Sequence, residues 1–339
     1  MRILIYSRAF LPQVGGLESN VANLAERFVE YGHDVVVVTT TRDGAADPLP
    51  YAVLRNPSPS TFARQLRWCD VFHHANVSLR GLWPLLLVRR PWVVTHHSWY
   101  RRPDGRIAWQ DRLKRFALRF AAGSISVSQA IADDLETPST VINNGYRDRL
   151  FRVLTDVDRC RDLVFVGRLV SDKGVDVLLD ALAILARHGL SPVLAVVGDG
   201  PERRALQAEA QQLGLTDQVR FLGTQTGEDL VHILNRHRIM VVPSRYNEPF
   251  GIVALEGIAC GCAVVGSAGG GLKDAIGACG RLFPNGDPAA LAEVLNDLLR
   301  NPAAVLDCLR GAAEHLAAHT AARVAQRYIE VFEAACARR

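Results

Sequence analysis

What the chain lacks narrows its class before anything it contains. No G-x-G-x-x-G stretch occurs, so the dinucleotide-binding fingerprint is absent. No apolar run is both long and uninterrupted. The nearest, Gly251 to Leu272, carries a single charge, Glu256, but also seven glycines, and helix-like residues give way to the strand-like CAVVGS. It reads as buried helix, strand and glycine loop rather than a membrane span. No leader-like segment is visible at the start, where Ile3–Tyr6 is short and runs into Arg8, so the expected location is the cytoplasm. No cysteine pattern points to a disulfide framework or a zinc site. The seven cysteines are irregularly spaced, and the close pair Cys260-Gly261-Cys262 has no second Cys or His pair near it. They are expected to be reduced, buried thiols. No recognisable nucleic-acid-binding module and no aromatic stacking platform is present either.

The 339 residues, 49% hydrophobic and 22% charged, suit a globular protein with two cores. The net charge of +4 is uneven. Residues 1–150 hold 19 Lys+Arg against 13 Asp+Glu, and the remainder holds 20 against 22. The basic character belongs to the N-terminal half.

Strand-like runs recur: RILIY, DVVVVTT, YAVLR, DVFHH, PWVVTHH, GSISVS and STVIN. Helical patterns such as 16–31 and 107–120 lie between them. The pattern restarts with DLVFVG, PVLAVVG, QVRFLG, RIMVVP and CAVVGS, with helices predicted at about 173–187, 201–213, 226–236 and 251–260. Such alternation predicts an α/β chain of two tandem, Rossmann-like, doubly wound domains. The polar stretch 144–161 is the expected linker, giving domains at 1–150 and 151–319. Residues 320–339 carry a last periodic helix that fits either domain. A ligand shared by two such domains belongs in the cleft at the carboxyl ends of the strands.

Several loops at those ends suit an anionic ligand. Gly15-Gly16 opens a helix after the first strand, where free N–H groups and the helix dipole favour phosphate. A plain tight turn fits the same pair. GRLVSDKG, residues 167–174, places Arg168 and Lys173 on one strand-to-helix loop, a pairing that suits a diphosphate. Solvated cap residues are the simpler reading of the same loop. In GDGPERRAL, Gly198 and Gly200 allow close backbone approach, or merely cap the next helix. THHS, residues 95–98, closes a strand with two histidines.

The segment NEPFGIVALEG, residues 247–257, brackets an apolar run with Glu248 and Glu256. Paired acids raise the prospect of a hydrolase. Retaining glycosidases hold their carboxyls about 5–5.5 Å apart and inverting ones about 6.5–9.5 Å. Eight residues at about 1.5 Å rise put these two backbones about 12 Å apart, which suits a sugar plus a ribose better.

Taken in order, these motifs resemble the retaining, nucleotide-sugar-dependent glycosyltransferases of family 4, with the GT-B fold. The resemblance runs nearly end to end, through Gly15-Gly16, Thr95-His96-His97, VINNGYRDRLF, GRLVSDKG, GDGP, NEPFGIVALEG, GSAGGGLKDAIG and GRLFPNGD. It implies that the Gly16 amide, beside Gly15, meets the donor phosphate, and that His97 contacts the transferred sugar, with His96 as its neighbour. It implies that Arg168 and Lys173 hold the diphosphate near Gly198. Glu248 would be the second catalytic residue and would bind sugar hydroxyls. Backbone of the Pro249-Phe250-Gly251-Ile252 stretch would assist, and Glu256 would bind the ribose, with Ile252, Val253 and Leu255 buried on the sheet. Three departures stand near these loops: Gly270-Gly271-Leu272-Lys273-Asp274 in place of Gly-Gly-x-Pro-Glu, Arg147 where an acid is usual, and Gly257 for an alanine.

The expected activity is transfer from a UDP- or GDP-sugar to a hydroxyl of a lipid-linked or cell-surface glycan precursor. No cofactor and no metal are expected, since Arg168, Lys173 and helix N-termini balance the diphosphate. A nucleotide-sugar epimerase and a non-catalytic nucleotide-sugar-binding protein are the alternatives. Residues 101–120, RRPDGRIAWQDRLKRFALRF, gather Ile107, Leu113, Phe116, Ala117 and Phe120 near one helical face, with arginines around the rest. That pattern fits a helix lying on anionic lipid at the inner face of the membrane, and equally a solvated helix packed on the sheet.

Overall fold

The strand-forming segments are short β-branched runs, and they assemble into two all-parallel sheets. The computed structural model describes residues 1–13, 15–42, 48–100 and 107–338. Contacts divide the chain into one unit of Met1–Gly145 with Thr320–Arg339 and another of Tyr146–His319. The strands of the first unit are β1 (Arg2–Ser7), β2 (Asp34–Thr39), β3 (Ala52–Arg55), β4 (Val71–Ala75), β5 (Trp92–His96), β6 (Gly123–Ser126) and β7 (Thr140–Val141). Their order is β3-β2-β1-β4-β5-β6-β7, with Ile3 paired to both Val35 and Val71. In the second unit, β8 (Arg161–Val166), β9 (Leu194–Val197), β10 (Val219–Gly223), β11 (His237–Val242), β12 (Ala263–Ser267) and β13 (Gly280–Phe283) run in the order β10-β9-β8-β11-β12-β13. In each sheet the chain starts at a central strand and winds outward both ways, so each has a switch point at its middle.

Because all strands are parallel, their carboxyl ends share one edge in each unit. Ser7, Thr39, Ala75 and His96 end there in the first, and Val166, Val197, Val242 and Ser267 in the second. The cores explain why the edges are rigid. One face of the first sheet is covered by helices Gly16–Glu30 and Ala321–Ala337, where Phe28 meets Phe332 at 5.6 Å between ring centroids. The other face stacks Tyr6 on Phe62 at 5.8 Å, beside Phe72 and Trp92. In the second unit, helices Val175–Arg187 and Pro288–Arg300 press apolar faces onto one side of the sheet.

Some sequence expectations become definite here and others need revision. The final helix spans Ala321–Ala337 and packs within the first unit. Lys173 lies in a short 3-10 turn, Ser171–Lys173, and the helix starts only at Val175, because Gly174 between them is left-handed at φ +67°. A side chain at Gly174 would strike the Pro243 carbonyl oxygen. Strand β13 and the helices Pro59–Trp68, Gln129–Asp134, Leu272–Ile276, Pro288–Arg300, Pro302–Leu309 and Ala312–Ala318 were not among the expected elements. The stretch 144–160 has no helix or strand, yet it is pinned down. Leu154 N–H donates to Asn235 Oδ1 at 2.8 Å, Arg159 donates to the Cys260 carbonyl at 2.6 Å, and Phe151 is 1% exposed. Of the segment 101–120, residues 101–106 lie outside the described residues.

All five tryptophans fall in the first unit, so their fluorescence reports it alone. Phe332→Ala empties a fully buried ring site there and should cost that unit about 3–5 kcal/mol. In urea, the fluorescence midpoint should fall while a second circular-dichroism transition stays in place. Equal shifts in both signals would contradict this assignment of the helix.

Candidate functional site

The second unit builds its site on a buried carboxylate. Glu248 is 5% exposed and lies in the loop between β11 and the helix Ile252–Ala259. Taking a charged carboxylate out of water is unfavourable unless donors surround it. Three do. Lys173 Nζ reaches Oε1 at 2.6 Å, Ser244 Oγ donates to Oε1 at 2.6 Å, and Tyr246 OH donates to Oε2 at 2.9 Å. Lys173 Nζ also lies 5.5 Å from the Tyr246 ring centroid. Burial and the Glu248 charge push the Tyr246 hydroxyl far up, so it remains a donor at any working pH. Lys173 and Glu248, expected to serve different parts of a ligand, are therefore an ion pair. Arg168 is exposed, and its guanidinium makes no hydrogen bond or ion pair among the described residues.

Glycines set the backbone around this pair. Gly251 caps the helix Ile252–Ala259 at φ +99° with no side-chain cap, leaving N–H groups of the first turn without internal acceptors. Gly270, at φ +75°, lies against the Glu248 backbone, and the Gly271 N–H donates to the Glu248 carbonyl at 2.7 Å. Asn285, which carried no motif signal, joins both loops. Its Oδ1 accepts from the Gly269 N–H at 2.7 Å, and its Nδ2 donates to the Tyr246 carbonyl at 3.3 Å. Phe250 turns its ring inward, 2% exposed and stacked on His319 at 6.0 Å, so only its backbone is left for a ligand. Gly198 is required to be glycine by backbone packing, whether or not a ligand approaches it. At φ +137°, a side chain there would strike the Gly167 carbonyl oxygen, and Gly200 faces the Leu169 carbonyl likewise. The two loops are zipped to each other.

Glu256 sits one turn into the helix and is half-buried. Its carboxyl has no hydrogen-bond partner among the described residues, and burial lifts it from 4.5 to about 7, opposed by the Arg147 charge. The helix seats on the sheet through Ala254, Leu255 and Ile258. Ile252 and Val253, expected on that buried face, are only half-buried because the helix begins at Ile252 itself, and its first turn stands at the sheet edge. The chain's Asp156-Val157-Asp158 has both acids exposed in the turn before β8.

In the first unit, Gly15 caps the helix Gly16–Glu30 without a side-chain cap, and Gly16 is its first residue. Gly15 is extended, at φ −164°, a conformation open to any residue. The two histidines after β5 separate cleanly. His96 spends both ring nitrogens, on Tyr100 OH at 2.6 Å and Ser124 Oγ at 2.9 Å. His97 has its backbone N–H held by Asn76 Oδ1 at 2.9 Å, while its Nε2 is buried with no partner. Burial holds both imidazoles down at about 3, so both are neutral at physiological pH. On the same edge, a cavity of about 200 Å³ lies beyond β1–β3, with Tyr6, Thr40, Asn56, Arg80 and Trp83 in its wall.

Two doubly wound parallel units with loops of this kind at their strand ends define a GT-B glycosyltransferase. Comparison with known proteins makes the assignment narrower. Residues 14–149 match the family model described as Glycosyltransferase Family 4, and residues 147–315 match that described as Glycosyl transferases group 1. The chain is 29% identical to a phosphatidyl-myo-inositol mannosyltransferase of Mycobacterium leprae, over 94% of this chain and 93% of the relative. It is 28% identical to a glycogen synthase of Mycobacterium tuberculosis, over 93% and 90%. Among solved structures, Anabaena HepE in complex with UDP and glucose superposes with a TM-score of 0.82 at 22% identity, over 98% and 99% of the two chains. The chain belongs to glycosyltransferase family 4.

The raised Glu256 carboxyl gives a stability prediction with a definite sign. The folded value lies above the ordinary 4.5, so the folded protein holds an extra proton between 4.5 and about 7. Stability should therefore fall as pH rises through that window, and Glu256→Gln should remove the loss. At about pH 8 the variant should be about 2–3 kcal/mol more stable than the wild type, converging near about pH 4. Urea unfolding across pH checks this, and parallel profiles for the two proteins would contradict it.

Proposed function

We propose that the chain is a retaining hexosyltransferase that moves a sugar from a UDP- or GDP-sugar to a hydroxyl acceptor, without a metal. The observation that carries this is Glu248, buried and held by the three donors Lys173, Ser244 and Tyr246 beside an uncapped helix start, with the Glu256 carboxyl, which has no hydrogen-bond partner among the described residues, eight residues on. Lys173 and the exposed Arg168 supply two positive charges for a diphosphate, and the uncapped amides after Gly251 and Gly15 add partial ones. Glu256 accepts from ribose hydroxyls, which needs its charged form. Glu248 accepts from sugar hydroxyls, and His97 Nε2 hydrogen-bonds the transferred sugar. In the step itself, the acceptor oxygen bonds to the anomeric carbon on the face the phosphate leaves. The carbon–oxygen bond to phosphate breaks with its electron pair on the diphosphate, which takes up the acceptor's proton. The first unit's cavity, with Arg80 and Trp83, suits an acceptor that joins a ring to an anionic group. The complexes of HepE with UDP and with UDP-glucose, and the mannosyltransferase activity of the mycobacterial relative, support a nucleotide-sugar donor.

A lipid-linked acceptor is favoured by the helix Trp109–Leu118. Trp109, Leu113 and Phe116, with Phe120 beyond its end, are 45–72% exposed along one stripe. Ala117 and Leu118, on the other side, pack on the core instead. Arg115 is tied to Asp134 and Glu136, and Lys114 to Asp111, which leaves Arg112 and Arg119 as the stripe's unpaired cations among the described residues. We take this face as a bilayer contact. No helix among the described residues is long and apolar enough to cross a membrane.

Incubation with a panel of UDP- and GDP-sugars tests the reaction. Nucleotide release with glycosylated acceptor of unchanged anomeric configuration is expected, and an epimer formed without acceptor would overturn it. Glu248→Ala should lower kcat about 10²–10³-fold. Glu256→Ala should chiefly weaken donor binding, about tenfold or more, by losing a charge-assisted bond of about 1.5–3 kcal/mol. Small, equal effects would return both acids to structural roles.

A further inference from the structure

The first unit has a second polar crevice, on the opposite edge of its sheet from His97. It encloses about 360 Å³ and is lined by Arg89, Arg90, Pro91, Ala121, Ala122 and Arg338, with Ala335 at its side. Pro91 immediately precedes β5 and Ala122 immediately precedes β6, so this is the amino-end edge. Arg338 arrives from the end of the helix Ala321–Ala337. Three guanidiniums line one crevice, and no carboxylate is among the described residues of its wall. Arg90 is fixed by donating to the carbonyls of Leu66 and Arg67. Arg89 and Arg338 make no hydrogen bond or ion pair among the described residues. Like charges this close repel unless an anion sits among them, and the fork of a guanidinium matches a phosphate.

The surroundings say which phosphate. Eleven large hydrophobic side chains are exposed among the described residues, and six of them fall between positions 86 and 120. Leu86 and Leu87, at 87% and 69% exposure, stand one residue before the arginine pair in sequence, and Phe120, at 72%, directly precedes Ala121. The helix Trp109–Leu118 joins parallel strands β5 and β6, so it runs back from the carboxyl edge towards the crevice. Its ten residues span about 15 Å. The apolar stripe therefore leads into the basic crevice. Soluble phosphate compounds have no use for such a rim, whereas a phospholipid headgroup at a bilayer surface meets both parts at once.

We infer that the Arg89–Arg90–Arg338 crevice binds the phosphate of an anionic phospholipid while the Trp109–Phe120 stripe and Leu86–Leu87 enter the bilayer. The site is separate from donor binding and fixes which membrane the enzyme works on. It rests on the bilayer contact proposed above and not on the transfer chemistry.

Flotation with vesicles of phosphatidylcholine, with and without phosphatidylglycerol, tests it on the full chain. The wild type should partition onto the mixed vesicles far more strongly. Arg89→Ala/Arg338→Ala should lose that preference by about thirty-fold, at about 1 kcal/mol per arginine, and keep the weak binding to phosphatidylcholine. Arg187→Ala/Arg220→Ala removes the same net charge from exposed positions of the second unit and should behave as wild type. The crevice variant should also bind donor nucleotide as the wild type does, which shows that it is folded and that the transfer reading stands apart. Wild-type flotation that ignores phosphatidylglycerol overturns the crevice alone, and no flotation on either vesicle overturns the bilayer contact with it. An equal loss in the control variant reduces the effect to net charge and also overturns it. Saturation by glycerol 3-phosphate without any vesicle preference would assign the crevice to a soluble phosphate ester.

Discussion

The second unit is organised around the desolvation of one carboxylate. Glu248 is buried, and it is tolerable there only because Lys173, Ser244 and Tyr246 all donate to it. Each donor comes with a backbone demand. Lys173 must turn back from β8, which needs the left-handed Gly174 tight against Pro243. Ser244 and Tyr246 must leave β11 with the loop tied down by Asn285. Gly270 and Gly271 must lie on the Glu248 backbone, which fixes the loop after β12. A buried charge thus sets the course of three loops at one sheet edge, and it leaves a cation and uncapped amides there for a ligand's phosphates.

The first unit reaches a comparable end by other means. Its edge holds a neutral imidazole with one unsatisfied nitrogen instead of an ion pair. An unpaired buried nitrogen is unfavourable unless something hydrogen-bonds to it, so His97 is poised for a polar group. His96, one residue earlier and otherwise identical in chemistry, is fully committed to Tyr100 and Ser124. Burial alone does not separate the two, since both sit near 3. Hydrogen-bond accounting does.

Legibility in the sequence followed physical cause. The hydrophobic strands of parallel sheets are short β-branched runs, and twelve of the thirteen strands among the described residues stood out that way. The thirteenth, GRLF, has too little apolar length to stand out, and the helix Pro302–Leu309 lies in an alanine-rich stretch with weak periodicity. The motif residues were legible because loops at strand ends carry glycines and charges with no other use. Their partnerships were not. Nothing in the spacing announces that Lys173 pairs with Glu248 across 75 residues, that Asn285 bridges two loops, or that His319 backs Phe250. Gly198 shows a limit of the letter itself, since a glycine required by backbone packing reads the same as one required by a ligand.

The central claim is that Lys173 and Glu248 act as one unit in holding the donor. A double-mutant cycle measures this directly, with Lys173→Met, Glu248→Gln and the pair titrated against donor by calorimetry. The account predicts strong non-additivity, with a coupling of about 1.5 kcal/mol or more, because each single change leaves the other charge unmatched at the site. Effects that simply add would show two independent residues, and would contradict it.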